Sequence, residues 1–251
     1  MKILGVIPAR YASTRFPAKP LADIGGKSMI QRVYTQASLS EKLSKVVVAT
    51  DDQRIFDHVL DFQGSVYMTS PDHPSGTDRC FEALRLENEK YDYVINIQGD
   101  EPFISPKQID LLAGLLDGVT ELATLAKKIE DEASIVNPNV VKVVRSANDE
   151  ALYFSRATIP YIRNAGTKHT FFKHIGMYGY RADVLERITR LEVSALEKAE
   201  ALEQLRWLEN GLRIKIAETD IETIGVDTPE DLKKAVDFFV SKGNVSQGSH
   251  G

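Results

Sequence analysis

The chain has little that would support a thiolate metal cluster, a covalent cross-link or a nucleic-acid-binding surface. It contains a single cysteine, Cys80, which excludes an intrachain disulfide and cannot by itself build a zinc site. Positive charge is not in excess, because 31 Lys and Arg residues stand against 36 Asp and Glu residues, a net charge of −5. A non-specific nucleic-acid binder needs a broad basic face, so this class of protein is disfavoured.

Long hydrophobic runs are also missing. No apolar stretch is long enough to cross a bilayer, and the first residues, Met1-Lys-Ile, lack the pattern of a signal peptide. We therefore expect a cytoplasmic protein without a membrane association. A tail over 244–251 has no apolar stripe to bury, and we expect it to be disordered.

Several familiar catalytic motifs are lacking as well. The Walker pattern is absent, since Gly25-Gly-Lys-Ser has no glycine at the required earlier position. The chain contains no Asp-x-Asp, which weakens the case for a metal-dependent glycosyltransferase. A Ser-His-Asp triad cannot be inferred from scattered residues, because such a triad is recognised by geometry.

What the chain does have is an unusual beginning, residues 1–21. An apolar run from Ile3 to Ile7 stops at Pro8 and predicts a central strand that is buried on both faces. Arg10, Arg15 and Lys19 then follow among small residues. Guanidinium forks and accessible backbone N–H groups suit a polyanion such as a triphosphate, whereas the alternative is an ordinary solvated loop.

Strand and helix patterns alternate after this loop. They predict an α/β protein with a Rossmann-like, mainly parallel sheet flanked by helices. From Glu121 onwards, strands predominate over 122–129, 140–144, 151–154 and 171–180, which indicates a smaller antiparallel lobe. We expect one domain over 1–243, with halves that meet near residue 120. A single amphipathic helix is predicted over 193–208, and Thr228 is predicted to cap the last helix.

Three loops follow strand ends in the first half, over 10–19, 73–79 and 98–102. Ligands of doubly wound folds bind beyond the carboxyl ends of the strands, so these loops are expected to open at one edge. Asp100 suits Mg²⁺ there, but a turn residue is the competing interpretation. Asp227 equally suits a favourable anion at a helix N-terminus. Ser75, Gly76 and Arg79 alternatively form a helix cap with a surface arginine.

In the second half, polar residues admit plain structural explanations. Arg156 alone indicates a strand-edge arginine. His174 and Tyr178 lie four apart on a predicted strand and share a face, where such residues are more often structural. Glu203 and Gln204 fall on the solvated face of the predicted amphipathic helix.

The order of residues across the chain resembles a known family. The segment Ile7-Pro-Ala-Arg-Tyr-Ala-Ser-Thr-Arg-Phe-Pro-Ala-Lys-Pro-Leu is similar to the nucleotide-binding loop of sugar nucleotidyltransferases, most closely the CMP-Kdo synthetase (3-deoxy-manno-octulosonate cytidylyltransferase) family. Most sugar-1-phosphate relatives carry glycines where this chain has Ala9, Ala12 and Ser13, which indicates the branch that activates acidic sugars. Further matching segments are Ala49-Thr-Asp-Asp, His73-Pro-Ser-Gly-Thr-Asp-Arg, Asn96-Ile-Gln-Gly-Asp-Glu-Pro, Ala151-Leu-Tyr-Phe-Ser-Arg, Lys173-His-Ile-Gly-Met-Tyr, Glu203-Gln-Leu-Arg-Trp-Leu-Glu-Asn-Gly and Ile224-Gly-Val-Asp-Thr-Pro-Glu-Asp.

The resemblance implies a CTP site in the first half and an acid-sugar site in the second. The implied CTP ligands are Pro8, Ala9, Arg10, Ser13, Arg15, Lys19, Ser75, Gly76, Arg79 and Gln98. Lys19, Asp100, Asp227 and Arg15 would be catalytic, with Mg²⁺ held by the two carboxylates. The sugar-binding residues would be Arg156, His174, Tyr178, Glu203 and Gln204.

The implied reaction joins CTP to Kdo, 3-deoxy-D-manno-octulosonate, and gives CMP-Kdo and pyrophosphate for lipopolysaccharide biosynthesis. A homodimer paired through the antiparallel lobe is also implied. Two alternatives remain: the same chemistry on 8-amino-Kdo or a sialic acid, and a nucleotide-binding regulator without turnover.

Overall fold

The computed structural model describes residues 1–12, 16–222 and 225–247, with side chains up to residue 240. The strands are β1 Ile3–Ala9, β2 Lys45–Thr50, β3 Val66–Met68, β4 Tyr93–Asn96, β5 Leu122–Lys128, β6 Lys142–Arg145, β7 Ala151–Ser155, β8 Phe172–Arg181 and β9 Ile214–Glu218. The helices are α1 Met29–Ala37, α2 Gln53–Asp61, α3 Gly76–Leu86, α4 Pro106–Ala113, α5 Glu132–Val136, α6 Ala182–Thr189, α7 Ala195–Glu200, α8 Gln204–Glu209 and α9 Pro229–Gln247. A short 3-10 helix covers Lys19–Leu21.

The chain divides into two compact units. Unit A contains 4–90, 96–109 and the chain from 222 onwards, and unit B contains 1–3, 91–95 and 110–221. These units are not the two consecutive halves that we expected to meet near residue 120. The difference arises because the last helix returns to the beginning of the chain: Val226 and Ala235 form a buried cluster with Ile24 and Met29.

Unit A is built from parallel strands joined by helices, as the sequence predicts. β2 pairs in parallel with β1 on one side and with β3 on the other. The apolar run that predicted β1 is buried, and β2 is buried beside it. Ser28, Asp52 and Ser75 each cap the helix that follows, because their side-chain oxygens accept from its first backbone N–H groups.

The register of unit A brings the strand ends to one edge. Ala9 lies opposite Thr50, and Thr50 lies opposite Met68. The residues that follow these strands therefore begin at the same level, which is where α/β folds bind ligands.

Unit B contains the expected antiparallel strands. β5 pairs antiparallel with β8, and β6 pairs antiparallel with β7 and β8. β9 pairs in parallel with β5, so the sheet of this unit is mixed. The α/β class with helices flanking the sheet is confirmed, and the antiparallel strands fall where the sequence placed them.

Two sequence predictions about helices are wrong. The single helix expected over 193–208 is two helices, α7 and α8, because Ala201 between them takes a left-handed conformation with φ of 50°. Helix α9 runs to Gln247 and includes 244–247, which we expected in a disordered tail. Gly243 lowers the helix propensity there by about 1 kcal/mol relative to alanine, so the sequence pattern ends before the helix does. Residues 248–251 lie outside the described residues.

Candidate active site

The central feature of unit A is one lysine shared by two carboxylates. Lys19 Nζ lies 2.9 Å from Asp100 Oδ2 and 3.2 Å from Asp227 Oδ1. Two carboxylates far apart in sequence therefore converge on a single ammonium. The Lys19 side chain is 16% exposed, and those of Asp100 and Asp227 are 31% and 51% exposed. All three groups remain accessible to a ligand from solvent.

Backbone contacts hold the two carboxylates in place. The N–H of Val226 donates to the carbonyl of Asp100 at 2.9 Å, which ties the segment before Asp227 to the 98–102 loop. The next residue, Thr228, caps α9 as predicted, and its Oγ1 accepts from the N–H of Asp231 at 3.2 Å. Asp227 is thus set just outside a firmly capped helix end, where a negative charge is stabilised.

A glycine allows the 98–102 loop to approach the end of β1. A Cβ on Gly99 would lie 2.7 Å from the carbonyl oxygen of Pro8, closer than real Cβ atoms come to backbone. The N–H of Ile97 donates to the carbonyl of Val6 at 2.8 Å just before this point. The lack of a side chain at Gly99 therefore lets the segment that carries Asp100 approach the end of β1, just before the cationic loop.

The 73–79 loop joins the same edge of unit A. The guanidinium of Arg10 donates to the carbonyl of His73. The Cβ position of Gly76 lies 3.7 Å from Pro8 Cγ and 3.6 Å from Asn96 Nδ2. The three loops predicted to open together therefore do meet in unit A, and the expected CTP-binding residues that the structure brings to this edge are Pro8, Ala9, Arg10, Lys19, Ser75, Gly76 and Gln98. Ser13 and Arg15 lie outside the described residues.

Arg79 is not the surface arginine that the helix-cap alternative described. Its side chain is fully buried rather than on the surface, with Nη2 2.8 Å from Asp51 Oδ2 and Nη1 2.5 Å from Thr69 Oγ1. Burial, with the charge of Arg10 nearby, lowers the pKa of this guanidinium despite the favourable effect of Asp51. An arginine held in this way anchors α3 to the ends of β2 and β3, while its buried Nε has no hydrogen-bond partner among the described residues. Its contact with the nucleotide stays a prediction.

The donor set at Asp100 and Asp227 fits Mg²⁺. Among the described residues, no group of three or more His, Cys, Asp or Glu side chains gathers as a protein-only metal cage. Mg²⁺ rarely needs such a cage, because it usually binds one or two carboxylates together with substrate phosphates and water. The two carboxylates also already converge on a cationic group, Lys19 Nζ.

Unit B holds a second group of polar side chains, which is buried and neutral. Tyr178 is 6% exposed, Gln204 5% and Trp207 1%. The Tyr178 hydroxyl, Gln204 Nε2 and Trp207 Nε1 have no hydrogen-bond partner among the described residues. Buried donors without acceptors are costly, so these atoms suit a ligand rich in oxygen. For Gln204, the solvated helix face that the sequence suggested is wrong.

His174 and Tyr178 contact one another, with ring centroids 5.1 Å apart. Four residues of a regular strand span about 13 Å, so this contact needs an irregularity. The structure supplies one, because the β5–β8 register shifts between Thr124 and Leu125, and their partners are Tyr178 and Ile175. The predicted shared position of the two rings is confirmed, and the bulge that produces it is not visible in the sequence.

Desolvation sets the protonation of both rings. Burial lowers the pKa of His174 to about 3, so the imidazole is neutral near pH 7. Burial, with the negative potential of Tyr180 and Glu203, raises the pKa of Tyr178 well above its usual value. Tyr178 is therefore a hydrogen-bond donor, and neither ring carries charge.

Arg156 and Glu203 are the charged members of the expected sugar-binding set. Arg156 donates from Nε to the Glu200 carbonyl at 2.7 Å, from Nη1 to Pro138 at 3.2 Å and from Nη2 to Ala201 at 3.3 Å. Among the described contacts, this leaves one N–H on each terminal nitrogen for a ligand. Glu203 accepts from Arg206 at 3.0 Å in the first turn of α8.

Sequence reasoning missed Trp207 as a site residue. It follows Gln204 by three positions on α8, and residues at that spacing share a helix face. That spacing could have identified it. Its indole packs edge-on against Tyr178, with centroids 5.0 Å apart.

Comparisons with known proteins identify the family of the chain. Residues 4–216 match the family model described as cytidylyltransferase. The chain is 60% identical over 238 residues to a 3-deoxy-manno-octulosonate cytidylyltransferase of Cytophaga hutchinsonii, covering 92% of this chain and 95% of the relative. It is 54% identical to the enzyme of that name from Bacteroides thetaiotaomicron, covering 96% of this chain and all of the relative.

Solved structures are similar as well. A CMP:2-keto-3-deoxy-manno-octonic acid synthetase in complex with CTP is 44% identical, with a TM-score of 0.92, and the match covers 96% of this chain and all of that one. A 4-diphosphocytidyl-2C-methyl-D-erythritol synthase of Anaerococcus prevotii, 14% identical with a TM-score of 0.63, covers 95% of this chain and 96% of its own, and it shares the fold alone.

Proposed function

The chain belongs to the cytidylyltransferase family, and we propose that its two groups of site residues serve the two substrates of one reaction. It is a 3-deoxy-manno-octulosonate cytidylyltransferase, which converts CTP and Kdo into CMP-Kdo and pyrophosphate. The observation that carries the assignment of the reacting centre is the convergence of Asp100 and Asp227 on Lys19. These charges meet at the strand edge where α/β folds bind ligands.

The reaction is a direct displacement at phosphorus. The anomeric hydroxyl oxygen of Kdo forms a bond to the α-phosphorus of CTP, the bond to the β-phosphate oxygen breaks, and pyrophosphate departs with its electron pair. The hydroxyl proton is lost to solvent. No covalent enzyme intermediate is needed, so the protein acts by positioning and by charge stabilisation.

The cations of unit A bind the triphosphate. Arg10 is anchored by the His73 carbonyl at the start of the loop, and Lys19 is held by the two carboxylates at its end. Phosphate oxygens compete with those carboxylates for the Lys19 ammonium, which then stabilises the charge that develops on the leaving pyrophosphate. Arg15, which lies outside the described residues, is proposed to assist by the same chemistry.

Asp100 and Asp227 are proposed to hold Mg²⁺. Held by these residues, the ion would neutralise charge on the phosphate oxygens and make the attacking hydroxyl more acidic. The carboxylates have the hard oxygen donors that the ion prefers. Release of Lys19 towards the triphosphate leaves both carboxylates available.

Unit B is proposed to recognise the acid sugar. The remaining N–H groups of Arg156 bind the sugar carboxylate as a fork. His174, Tyr178 and Gln204 bind hydroxyl oxygens from a buried, neutral setting, and Glu203 accepts from a hydroxyl. Because the Tyr178 hydroxyl and Gln204 Nε2 lack protein partners among the described residues, a sugar without the matching oxygens would leave them unsatisfied.

We also propose a homodimer, a cytoplasmic location and a role in lipopolysaccharide biosynthesis. No helix among the described residues is long and apolar enough to cross a membrane. Val136, Leu152 and Tyr161 of unit B expose 71%, 61% and 85% of their surface, and a second copy would cover such apolar area. Sedimentation at the single-chain mass of 28.0 kDa would contradict the dimer.

Pyrophosphate release tests the function directly. The protein is mixed with Mg²⁺, CTP and one acid from a panel of Kdo, 8-amino-Kdo and sialic acid. We expect the highest kcat/KM with Kdo and no release when CTP is replaced by ATP. Turnover that favours another acid would reassign the substrate, and no release with any acid would leave only a nucleotide-binding role.

A further inference from the structure

Lys142 is a fully buried cation in unit B that the reaction does not explain. It lies on β6, and its ammonium donates to the carbonyls of Asn137 at 2.8 Å, Val140 at 2.6 Å and Arg156 at 2.6 Å. An ammonium has three N–H donors, so this one is fully satisfied by backbone. One of the three carbonyls belongs to the arginine that is proposed to bind the sugar carboxylate.

Glu200 fixes the same arginine through the backbone N–H of Arg156. Its carboxylate accepts from the N–H of Arg156 at 2.9 Å and from Ser155 Oγ at 2.6 Å. The backbone of Arg156 therefore has a carboxylate on its N–H and an ammonium on its carbonyl. The guanidinium is fixed as well, since it donates to the carbonyls of Pro138, Glu200 and Ala201.

Stability of the fold does not by itself explain a buried lysine. Removing an ammonium from water is unfavourable by several kcal/mol, and an apolar residue of similar volume often serves the fold as well or better. Lys142 instead fixes two segments relative to each other, because its three hydrogen bonds join the 137–140 segment to the end of β7. Those are the segments that, with α7, surround the Arg156 side chain.

We propose that Lys142 and Glu200 are positioning residues that fix Arg156 in the geometry that receives the carboxylate of the acid sugar. This inference rests on the proposed role of Arg156 in sugar binding. Because an Arg–carboxylate fork needs both terminal nitrogens in one plane with the ligand, loss of either anchor weakens sugar binding specifically. CTP binding, which belongs to unit A, does not depend on these anchors.

The test is the KM for each substrate in Lys142→Met, which keeps the length of the side chain and removes its donors. We expect the KM for Kdo to rise about tenfold or more, and the KM for CTP to stay within about twofold. The matched control is Lys215→Met, because Lys215 is also a strand lysine that donates to a loop carbonyl, that of Asn148 at 3.0 Å. Unchanged KM values in Lys142→Met, or equal rises for both substrates, would overturn the proposal.

A double-mutant cycle with Arg156→Met separates the possible failures. If Lys142 acts through Arg156, adding Lys142→Met to Arg156→Met gives no further rise in the KM for Kdo. If the two substitutions instead raise the KM for Kdo by factors that multiply, Lys142 acts independently of Arg156. That result would overturn the proposal. If Arg156→Met alone leaves the KM for Kdo unchanged, the proposed sugar-binding role of Arg156 fails instead.

Glu200→Gln is the second variant, needed if Lys142→Met does not fold. It keeps an oxygen for the Arg156 N–H and removes the charge, so we expect a smaller rise of about threefold in the KM for Kdo. The melting temperature of each variant is measured alongside. A KM for Kdo that stays at the wild-type value in folded Glu200→Gln and Lys142→Met counts against the proposal.

Discussion

The two units prepare for their ligands in opposite ways. In unit A, the residues expected to act are charged and partly exposed, with Lys19 shared by two carboxylates. In unit B, most of them are neutral, Tyr178 and Gln204 are buried, and three polar atoms lack partners among the described residues. A polyanion needs charges that can be exchanged in solvent, whereas a sugar is distinguished by hydrogen bonds that must be made inside a dry site.

The contrast also extends to the cause of specificity. An exposed charge attracts phosphate from any nucleotide, so unit A needs backbone shape to select its base. A buried donor without a protein acceptor lowers the affinity for every sugar that does not supply an acceptor. Unit B therefore discriminates against sugars that leave its buried donors without hydrogen bonds. Substitutions in unit A should therefore act on turnover or on the KM for CTP, and those in unit B on sugar affinity or pH behaviour.

The largest effect is expected at Asp100. Asp100→Asn keeps the size of the side chain and removes one of two charges at the reacting centre, so kcat should fall about 1,000-fold while CTP binding stays measurable. Stopped assays of pyrophosphate release and calorimetric titration with CTP give the two values. Asp57→Asn on α2 is the control, and near-normal turnover of Asp100→Asn would remove Asp100 from the metal site.

A smaller effect on catalysis is expected at Lys19, together with tighter binding of a divalent metal ion. Lys19→Met should lower kcat/KM about 100-fold, because the ammonium no longer stabilises the leaving phosphate. Without its competing charge, the two carboxylates should bind Mn²⁺ more tightly in the absence of nucleotide, which calorimetry measures. Lys27→Met, in an exposed turn of the same unit, should change neither quantity. Weaker Mn²⁺ binding in Lys19→Met would contradict the shared-ammonium interpretation.

A matched pair of glycines tests the backbone contribution. In unit A, a Cβ on Gly99 would lie 2.7 Å from the Pro8 carbonyl oxygen, whereas in unit B a Cβ on Gly179 would lie 3.0 Å from a Leu116 side-chain methyl. The backbone cannot move aside as a leucine can. We expect Gly99→Ala to raise the KM for CTP about tenfold and Gly179→Ala to leave it unchanged. Equal values in the two variants would show that the Gly99 contact has no role in nucleotide binding.

The fold and the candidate site could be predicted from the sequence to different extents in the two units. Unit A was largely predictable, because apolar runs mark the parallel strands and the loops at their ends must share an edge. That residues 19, 100 and 227 act together followed only from the family resemblance, since no local pattern states that they meet. The burial of Arg79 was not predictable for the same reason: its partners, Asp51 and Thr69, come from other strand ends.

Unit B was less predictable. Its strands follow from the apolar pattern, but the bulge that brings His174 to Tyr178 and the break at Ala201 are set by tertiary packing. Lys142 and Glu200 gave no signal, because their contacts with Arg156 span 14 and 44 residues. Resemblance to a family named the sugar-binding residues, and only the structure showed which of them are buried and what holds them.

The last prediction concerns stability rather than catalysis, and it depends on His174 in unit B. Its pKa is lowered by burial from 6.5 to about 3 in the folded protein. Below pH 6.5, His174 therefore binds a proton in the unfolded chain but not in the folded protein. The free energy of unfolding consequently falls as the pH falls towards 3. His174→Gln removes this contribution. Between pH 6 and 4, the wild type should lose up to about 1.4 kcal/mol per pH unit more than the variant, measured by urea unfolding. Parallel curves for the two proteins would mean that His174 takes up its proton as readily in the folded state. The neutral, dry character that distinguishes unit B from unit A would then be wrong at its centre.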